Sequence, residues 1–178
     1  MLVSRSSSFK IVFSRCFPGE VTHKFHSLQE AKTFNSPLTF NTSNVITMEC
    51  MFQDAASFNQ PLLFDTSSVR NMDALFQGAK SFNQPLSWDT SNVISMDDMF
   101  QGATLFNQPL LWDTGNVTSM DAMFLCATSF NHSIAGWNIG SLVFYHPMFN
   151  SKTYTQPLPD SLNPKVAFID QYKKRMML

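Results

Sequence analysis

Two adjacent stretches of the sequence are nearly identical. Residues 82–105 read FNQPLSWDTSNVISMDDMFQGATL, and residues 106–129 read FNQPLLWDTGNVTSMDAMFLCATS. The same phrase continues on both sides, because phenylalanine returns at a constant interval at Phe34, Phe58, Phe82, Phe106 and Phe130. A 24-residue period of this kind indicates a solenoid, in which each repeat is one layer of a stack.

Other residue types keep the same 24-residue step. The recurring apolar positions include Val45, Val69, Val93 and Val117; Met48, Met72, Met96 and Met120; Phe52, Phe76, Phe100 and Phe124; and Phe40, Phe64, Trp88 and Trp112. One residue is inserted after Ile134, and Trp137 and Phe149 then recover the pattern with a shift of one. A single unit cannot bury both of its apolar sides, so neighbouring units must cover it.

The second half of each unit has helical spacing. Val93, Met96, Met99 and Phe100 lie at i, i+3, i+6 and i+7, which places them on one side of a helix. Gly102 follows at the position where helices commonly end in a left-handed residue. The spacing therefore predicts one short helix per repeat.

The first half of each unit has the alternation of a strand. Leu86 and Trp88 are apolar on either side of Ser87, and Pro85 suits the first residue of a strand. The predicted fold is therefore an α/β solenoid of leucine-rich-repeat type, with one short parallel strand and one short helix in each 24-residue unit. A β-solenoid without helices is the alternative.

The repeats divide the chain into three parts. Residues 1–33 are predicted to be an N-terminal segment with a degenerate capping repeat, with a transit peptide as the alternative. Residues 34–153 are predicted to form the solenoid, with four full repeats and one degenerate repeat. Residues 154–178 are predicted to be a tail with a short helix that begins at Pro164, and a basic helix on a membrane surface is the alternative.

Composition excludes several classes of function. The 178 residues carry a net charge of −1, but nine acids and two bases lie between Phe34 and Phe130. An acidic middle argues against nucleic-acid binding, which needs lysine and arginine to replace phosphate counterions. No apolar run is long enough to span a membrane, and the first twenty residues lack the apolar core of a secretory signal.

The phrase W-D-T-S-N-V-x-x-M-x-x-M-F-x-G-A-x-x-F-N-Q-P-L, read from Trp88 to Leu110, carries a resemblance to known proteins. It resembles the BspA-like leucine-rich-repeat surface proteins and, more closely, a repeat domain of unknown function found in bacterial surface lipoproteins. The resemblance covers about residues 34–150. It implies a leucine-rich-repeat-like solenoid with a surface or binding role, and it implies no catalytic residues.

Three polar columns could bind a ligand or could be structural. Asp65, Asp89 and Asp113 would stack closely enough to attract Ca²⁺, although capping of their own turns is the simpler interpretation. The asparagine column is interpreted as structural, with amides hydrogen-bonded along the stack. The threonine column is interpreted as turn capping, with a sugar-facing or ice-facing row as the alternative. The members of these two columns are Asn35, Asn59, Asn83, Asn107 and Asn131, and Thr42, Thr66, Thr90 and Thr114.

A binding surface is better sought where the repeats differ. The residue between the two inward positions of the predicted strand is Thr39, Leu63, Ser87 or Leu111 in successive repeats. Strand alternation points these four side chains outward, so they are the candidate binding residues. The predicted function is non-enzymatic binding of a protein or glycan, in surface-associated adhesion or recognition. An intracellular, cytoplasmic interaction scaffold is the alternative.

No residue is predicted to be catalytic and no metal or cofactor is predicted. His23 and His26 are three residues apart, but no second pair of ligands follows them. Cys50 and Cys126 are too far apart along the stack to be bridged, so free thiols are expected. No nucleotide-binding, hydrolase or metalloprotease motif is present in the sequence.

Overall fold

The repeats stack one upon another along a common axis. A computed structural model describes residues 28–39, 41–149, 153–159 and 162. Consecutive repeats are joined by isolated parallel bridges between equivalent positions. These bridges are Thr47–Asn71, Asn71–Ser95, Ser95–Ser119, Ser119–Phe144 and Phe124–Phe149. Apart from them, the described residues contain no strand and no α-helix, and Leu162 is a single residue in 3₁₀ conformation.

The prediction of an α/β solenoid with a helix in each repeat is wrong. The backbone N–H of Met51 donates to the carbonyl of Met48 at 3.2 Å, and that of Ala55 donates to Phe52 at 3.1 Å. These bonds close β-turns, whereas an α-helix needs bonds from residue i to residue i−4. The N–H group of Phe52 leaves the repeat and donates to the carbonyl of Leu75 in the next repeat at 2.9 Å.

The handedness of the backbone also reverses within this segment. Asp98 has φ of 55° and Gly102 has φ of 69°, so the chain enters the left-handed region twice in quick succession. A right-handed helix cannot continue through such residues. The prediction that Gly102 is left-handed is confirmed, but it lies in a series of turns and not at the end of a helix.

The prediction of a strand around Ser87 is wrong for a different reason. Leu86 and Trp88 are buried and Ser87 is exposed, so the alternation is present. However, no backbone hydrogen bond joins residues 86–88 to the equivalent residues 62–64 and 110–112 of the neighbouring repeats, so these described segments do not pair as strands. The repeats are joined here by side chains, since the indole N–H of Trp112 donates to the carbonyl of Leu86 at 3.0 Å.

Three columns of stacked rings run through the core, beside buried valine, methionine, leucine and alanine side chains. We call them the inner phenylalanine column (Phe52, Phe76, Phe100, Phe124), the outer phenylalanine column (Phe34, Phe58, Phe82, Phe106, Phe130) and the tryptophan column (Phe64, Trp88, Trp112, Trp137). Neighbouring ring centroids are 5.3–5.6 Å apart in the inner column and 6.0 Å apart in the outer column. In the tryptophan column the separation is 6.3–6.5 Å. The rings are therefore closest together in the inner phenylalanine column and furthest apart in the tryptophan column.

The stack extends to both limits of the described residues. Leu28 and Ala31 are buried in the core before the first complete repeat. Tyr154 packs on Phe149 with ring centroids 4.1 Å apart, and the N–H of Thr155 donates to Oδ1 of Asn131 at 3.0 Å. Residues 154–158, Tyr-Thr-Gln-Pro-Leu, therefore occupy the positions that Phe-Asn-Gln-Pro-Leu occupies in the earlier repeats. Residues 1–27 and the predicted helix after Pro164 lie outside the described residues.

Candidate binding surfaces

The four candidate binding residues lie in one row, with both leucines fully presented to solvent. Leu63 and Leu111 are each 95 % exposed, and Thr39 and Ser87 occupy the same position in the repeats beside them and are exposed as well. We call this row (Thr39, Leu63, Ser87, Leu111) the leucine face. Leu63 and Leu111 are separated by the repeat that contains Ser87, so their side chains do not form a continuous apolar strip.

The inserted residue falls at the end of the leucine face. Phe106 stacks on Phe130 at the ordinary 24-residue step, whereas Trp112 stacks on Trp137, which lies one position beyond that step. The extra residue therefore lies between these two positions, beside the exposed Ala135 and Gly136. The leucine face thus has no leucine in the repeat that follows Leu111.

A second apolar surface lies on the bridged side, and the sequence patterns did not reveal it. Ile94 is 42 % exposed, Val143 is 62 % exposed and Phe144 is 60 % exposed. Phe144 occupies the position that is small and polar in the other repeats, as the bridge from Ser119 to Phe144 shows. The one-residue shift after Ile134 places Phe144 in this polar column, but the candidate binding residues were chosen from the first half of each repeat.

A row of carboxylates runs beside these apolar residues. Oδ1 of Asp73 accepts the Ser95 hydroxyl at 2.5 Å and the backbone N–H of Asp97 at 2.8 Å. Oδ1 of Asp97 accepts the Ser119 hydroxyl, and it accepts the N–H of Asp121 at 2.7 Å. We call the surface formed by Ile94, Val143 and Phe144 with the carboxylates of Asp73, Asp97 and Asp121 the bridged face.

Burial, assisted by neighbouring carboxylates, raises the pKa of two carboxyl groups in and beside this row. Burial raises the pKa of Asp73 above 3.8, although hydrogen bonds from Ser95 and Asp97 oppose the shift. The pKa of Asp98 is also raised, first by burial and then by the negative charges of Asp97, Asp73 and Asp121. Three carboxylates therefore lie close enough to Asp98 to affect its pKa.

The column of Asp65, Asp89 and Asp113 caps turns, as the simpler interpretation predicted. Oδ1 of Asp89 accepts the backbone N–H of Ser91 at 3.0 Å and its hydroxyl at 2.7 Å. The hydroxyl bond and the backbone bond lower the pKa of Asp89, and the same two bonds from Ser67 lower the pKa of Asp65. Among the described residues, no group of three or more acid, histidine or cysteine side chains is arranged to hold a metal ion.

The asparagine column is structural, as predicted. The N–H of Asn83 donates to Oδ1 of Asn59 at 2.9 Å, and that of Asn107 donates to Oδ1 of Asn83 at 2.9 Å. The amide of Gln108 adds a bond to Oδ1 of Asn83 at 3.1 Å. Asn83 therefore joins its own repeat to the repeats on both sides.

The threonine column is also structural, but its bonds differ from the predicted ones. The hydroxyl of Thr90 donates to the carbonyl of Asp113 in the next repeat at 2.7 Å. Thr42, Thr66 and Thr114 make the equivalent bonds at 2.8–2.9 Å. All four are buried, so the alternative of a sugar-facing or ice-facing row is wrong.

The histidine and cysteine predictions have mixed outcomes. His23 and His26 lie outside the described residues. A ring nitrogen of His132 is 3.1 Å from the carbonyl of Asn107, within the ladder that joins the repeats. Cys126 is an exposed free thiol, as expected.

These features define a protein of stacked 24-residue repeats with regular rows of exposed side chains. Residues 17–87 and residues 63–161 match a family described as Mycoplasma protein of unknown function, DUF285, and the chain belongs to this family. The match supports the sequence resemblance at the level of the family. No curated protein and no solved structure matches the chain. We find no membrane-spanning helix in the part of the chain that the structure describes.

Proposed function

We propose that this chain is a non-enzymatic repeat protein that binds a protein or a glycan through the leucine face. The observation that supports the proposal is the 95 % exposure of Leu63 and Leu111. Burial of one such leucine in an interface would contribute roughly 1.5–3 kcal/mol. Thr39 and Ser87 would supply hydrogen bonds beside the two apolar contacts, because hydroxyl groups both donate and accept.

The proposal places the protein at a cell surface or in the secreted fraction, in adhesion or recognition. Its support is the resemblance of the repeat phrase to BspA-like surface proteins, together with the family match over residues 17–161. Repeat proteins of this kind present one regular face of a curved stack to a partner.

The test is a pull-down with the full chain against surface proteins and a glycan array, followed by affinity measurement with the partner found. The double variant Leu63→Ser and Leu111→Ser gives the leucine face the residue that Ser87 already has. We expect it to weaken binding by about tenfold or more, or about 1.4 kcal/mol.

Leu105→Ser is the matched control for this double variant. Leu105 is 56 % exposed, and its position is serine in the neighbouring repeats at Ser81 and Ser129. The control removes an exposed leucine from another part of the surface and should leave the affinity unchanged. Equal affinity of the double variant and the unaltered chain would overturn the assignment of the leucine face.

An intracellular interaction scaffold is the second candidate. The exposed thiol of Cys126 favours it, because unpaired exposed cysteines persist mainly in reducing compartments. Fractionation of cells that express the full chain distinguishes the two candidates. Recovery of the protein only in the cytosol would contradict the surface location and favour the scaffold.

A further inference from the structure

The bridged face changes in chemical character at the bridged position itself. Ser95 and Ser119 place a hydroxyl on the carboxylate of the preceding repeat, at Asp73 and Asp97 respectively. Phe144 replaces this serine in the next repeat. Phe144 donates no hydroxyl, and its ring is 60 % exposed.

Asp121 therefore differs from the other carboxylates of the row. Its Oδ1 accepts the backbone N–H of His146 at 2.7 Å, which is the bond that Asp97 also accepts from its own neighbour. Asp73 and Asp97 each accept a hydroxyl bond from a serine of the next repeat. The equivalent residue beside Asp121 is Phe144, which has no hydroxyl group to donate. An aromatic ring beside such a carboxylate suits a lysine or arginine side chain, whose stem packs on the ring and whose charge pairs with the acid.

Three parallel columns define the shape of the bridged face. One column contains Arg70, Ile94, Thr118 and Val143, in which Ile94 and Val143 are exposed and apolar and Arg70 is exposed and basic. The column three positions further on contains the carboxylates. Between them run the small side chains of Ser95 and Ser119, which end at Phe144. The face lies on the bridged side of the stack, where the rings of the inner phenylalanine column are 5.3–5.6 Å apart.

We propose that the bridged face binds an extended peptide in which lysine or arginine alternates with apolar residues. Successive side chains of an extended chain point to opposite sides. A peptide that lies along the small central column would therefore direct apolar side chains to Ile94 and Val143, and basic side chains to Asp97 and Asp121. The carboxylates of Asp73, Asp97 and Asp121 follow one another along the face, so electrostatic complementarity favours a basic partner.

This inference does not depend on the leucine face. The two surfaces lie on different parts of the repeat, one beside the tryptophan column and the other beside the bridges. Variants of each surface therefore test one proposal and serve as controls for the other.

The experiment measures fluorescence anisotropy of a labelled peptide of alternating lysine and valine, titrated with the full chain. We expect saturable binding that weakens as the salt concentration rises, because exposed charge pairs are screened. Peptides of alternating glutamine and valine, or glutamate and valine, should bind at least about tenfold more weakly. Equal binding of the glutamine and lysine peptides would overturn the proposal.

Two variants identify the face. Phe144→Ser restores the residue found at Ser95 and Ser119, so the fold has a natural precedent for it. Asp121→Asn keeps the size of the side chain and the Oδ1 acceptor but removes the charge. Each variant should weaken binding of the lysine–valine peptide by about tenfold, with an unchanged circular dichroism spectrum.

Asp113→Asn is the matched charge control. Asparagine already occupies this column at Asn41 and Asn138, and the change removes one negative charge away from the bridged face. It should leave the affinity within about twofold, since a distant exposed charge is screened at physiological salt. If it weakened binding as much as Asp121→Asn did, binding would reflect net charge alone and the proposal would fail.

The remaining outcomes assign the face to another occupant and would each overturn the proposal. Loss of peptide binding in the double variant Leu63→Ser and Leu111→Ser, but not in Phe144→Ser, would place the peptide on the leucine face. Binding of neutral glycans that Phe144→Ser abolishes would contradict a peptide partner. A dimer in light scattering that Phe144→Ser converts to a monomer would assign the face to a second copy of the chain.

Discussion

The aromatic stack can be tested by removing one ring from its centre. Phe82 is fully buried and packs against Phe76 with ring centroids 4.0 Å apart. It also stacks on Phe58 and on Phe106, each at 6.0 Å. Phe82→Ala should therefore remove contacts on both sides of its own layer of the stack.

The magnitude follows from these contacts. A buried phenylalanine replaced by alanine costs about 3–5 kcal/mol, because apolar burial is lost and a cavity remains. Collapse of the backbone around Phe82 is opposed by the hydrogen bonds that hold the repeats in register, so we expect the upper part of this range. Typical domains have a free energy of unfolding of about 5–15 kcal/mol, so the loss is a large fraction of the total.

The assay is equilibrium unfolding in urea, followed by circular dichroism and tryptophan fluorescence. Phe34→Ala is the matched control, since Phe34 belongs to the same column but is only partly buried, and among the described rings it stacks on that of Phe58, at 6.0 Å. It should cost about 1–2 kcal/mol. If Phe82→Ala does not fold, Phe82→Leu provides the comparison. Equal losses at Phe34 and Phe82 would refute the account of the stack.

Three further predictions concern single interactions, each measured by urea unfolding. Trp112→Phe removes the indole bond to the Leu86 carbonyl and should cost about 1 kcal/mol. Asn83→Ala removes the acceptor of the next repeat's N–H and should cost about 1–3 kcal/mol. Asp73→Asn keeps the acceptor but removes the charge. Because burial raises the folded-state pKa of Asp73, its ionisation destabilises the fold as pH rises, so this variant should be more stable than the unaltered chain near neutral pH. Its advantage should disappear below pH 3.8, and an advantage independent of pH would contradict the assignment.

The sequence predicted which residues face the core better than it predicted secondary structure. The 24-residue period correctly placed Phe82, Val93 and Met96 inside, and strand-like alternation correctly placed Leu63 and Leu111 outside. These predictions succeeded because they need only the phase of each residue in the repeat. They do not depend on the conformation of the backbone between these positions.

The helix prediction failed because a spacing of three residues has two structural explanations. Met48, Met51 and Phe52 suit one side of a helix, but they equally suit consecutive β-turns that each bring an apolar residue inward. What decides between them is the partner of the N–H groups at Cys50 and Phe52, and both donate to the next repeat at 2.9 Å. Such a bond joins residues in different repeats, so the spacing of residues within one repeat does not predict it.

The bridged face was not predicted, although the insertion after Ile134 was recognised and its one-residue shift aligns Ser119 with Phe144, as the bridge between them does. The candidate binding residues were chosen from the strand-like half of the repeat, because the half that contains Ser119 was predicted to be a helix. Which side chains of that half face solvent depends on turns and bridges between repeats, and spacing within one repeat did not predict these.

The near-identity of residues 82–105 and 106–129 has a physical cause in these inter-repeat bonds. Oδ1 of Asn83 accepts the N–H of Asn107, while the N–H of Asn83 donates to Asn59, so a member of this column serves two neighbours. A substitution at one repeat therefore affects the bonds at two interfaces, and this restrains change at every phase that joins the repeats. The leucine face lies outside these ladders and varies, as Leu63 and Ser87 show. Phe144 is an exception, because it occupies the column in which Ser95 and Ser119 donate hydroxyl bonds to the preceding repeat, and it has no hydroxyl group.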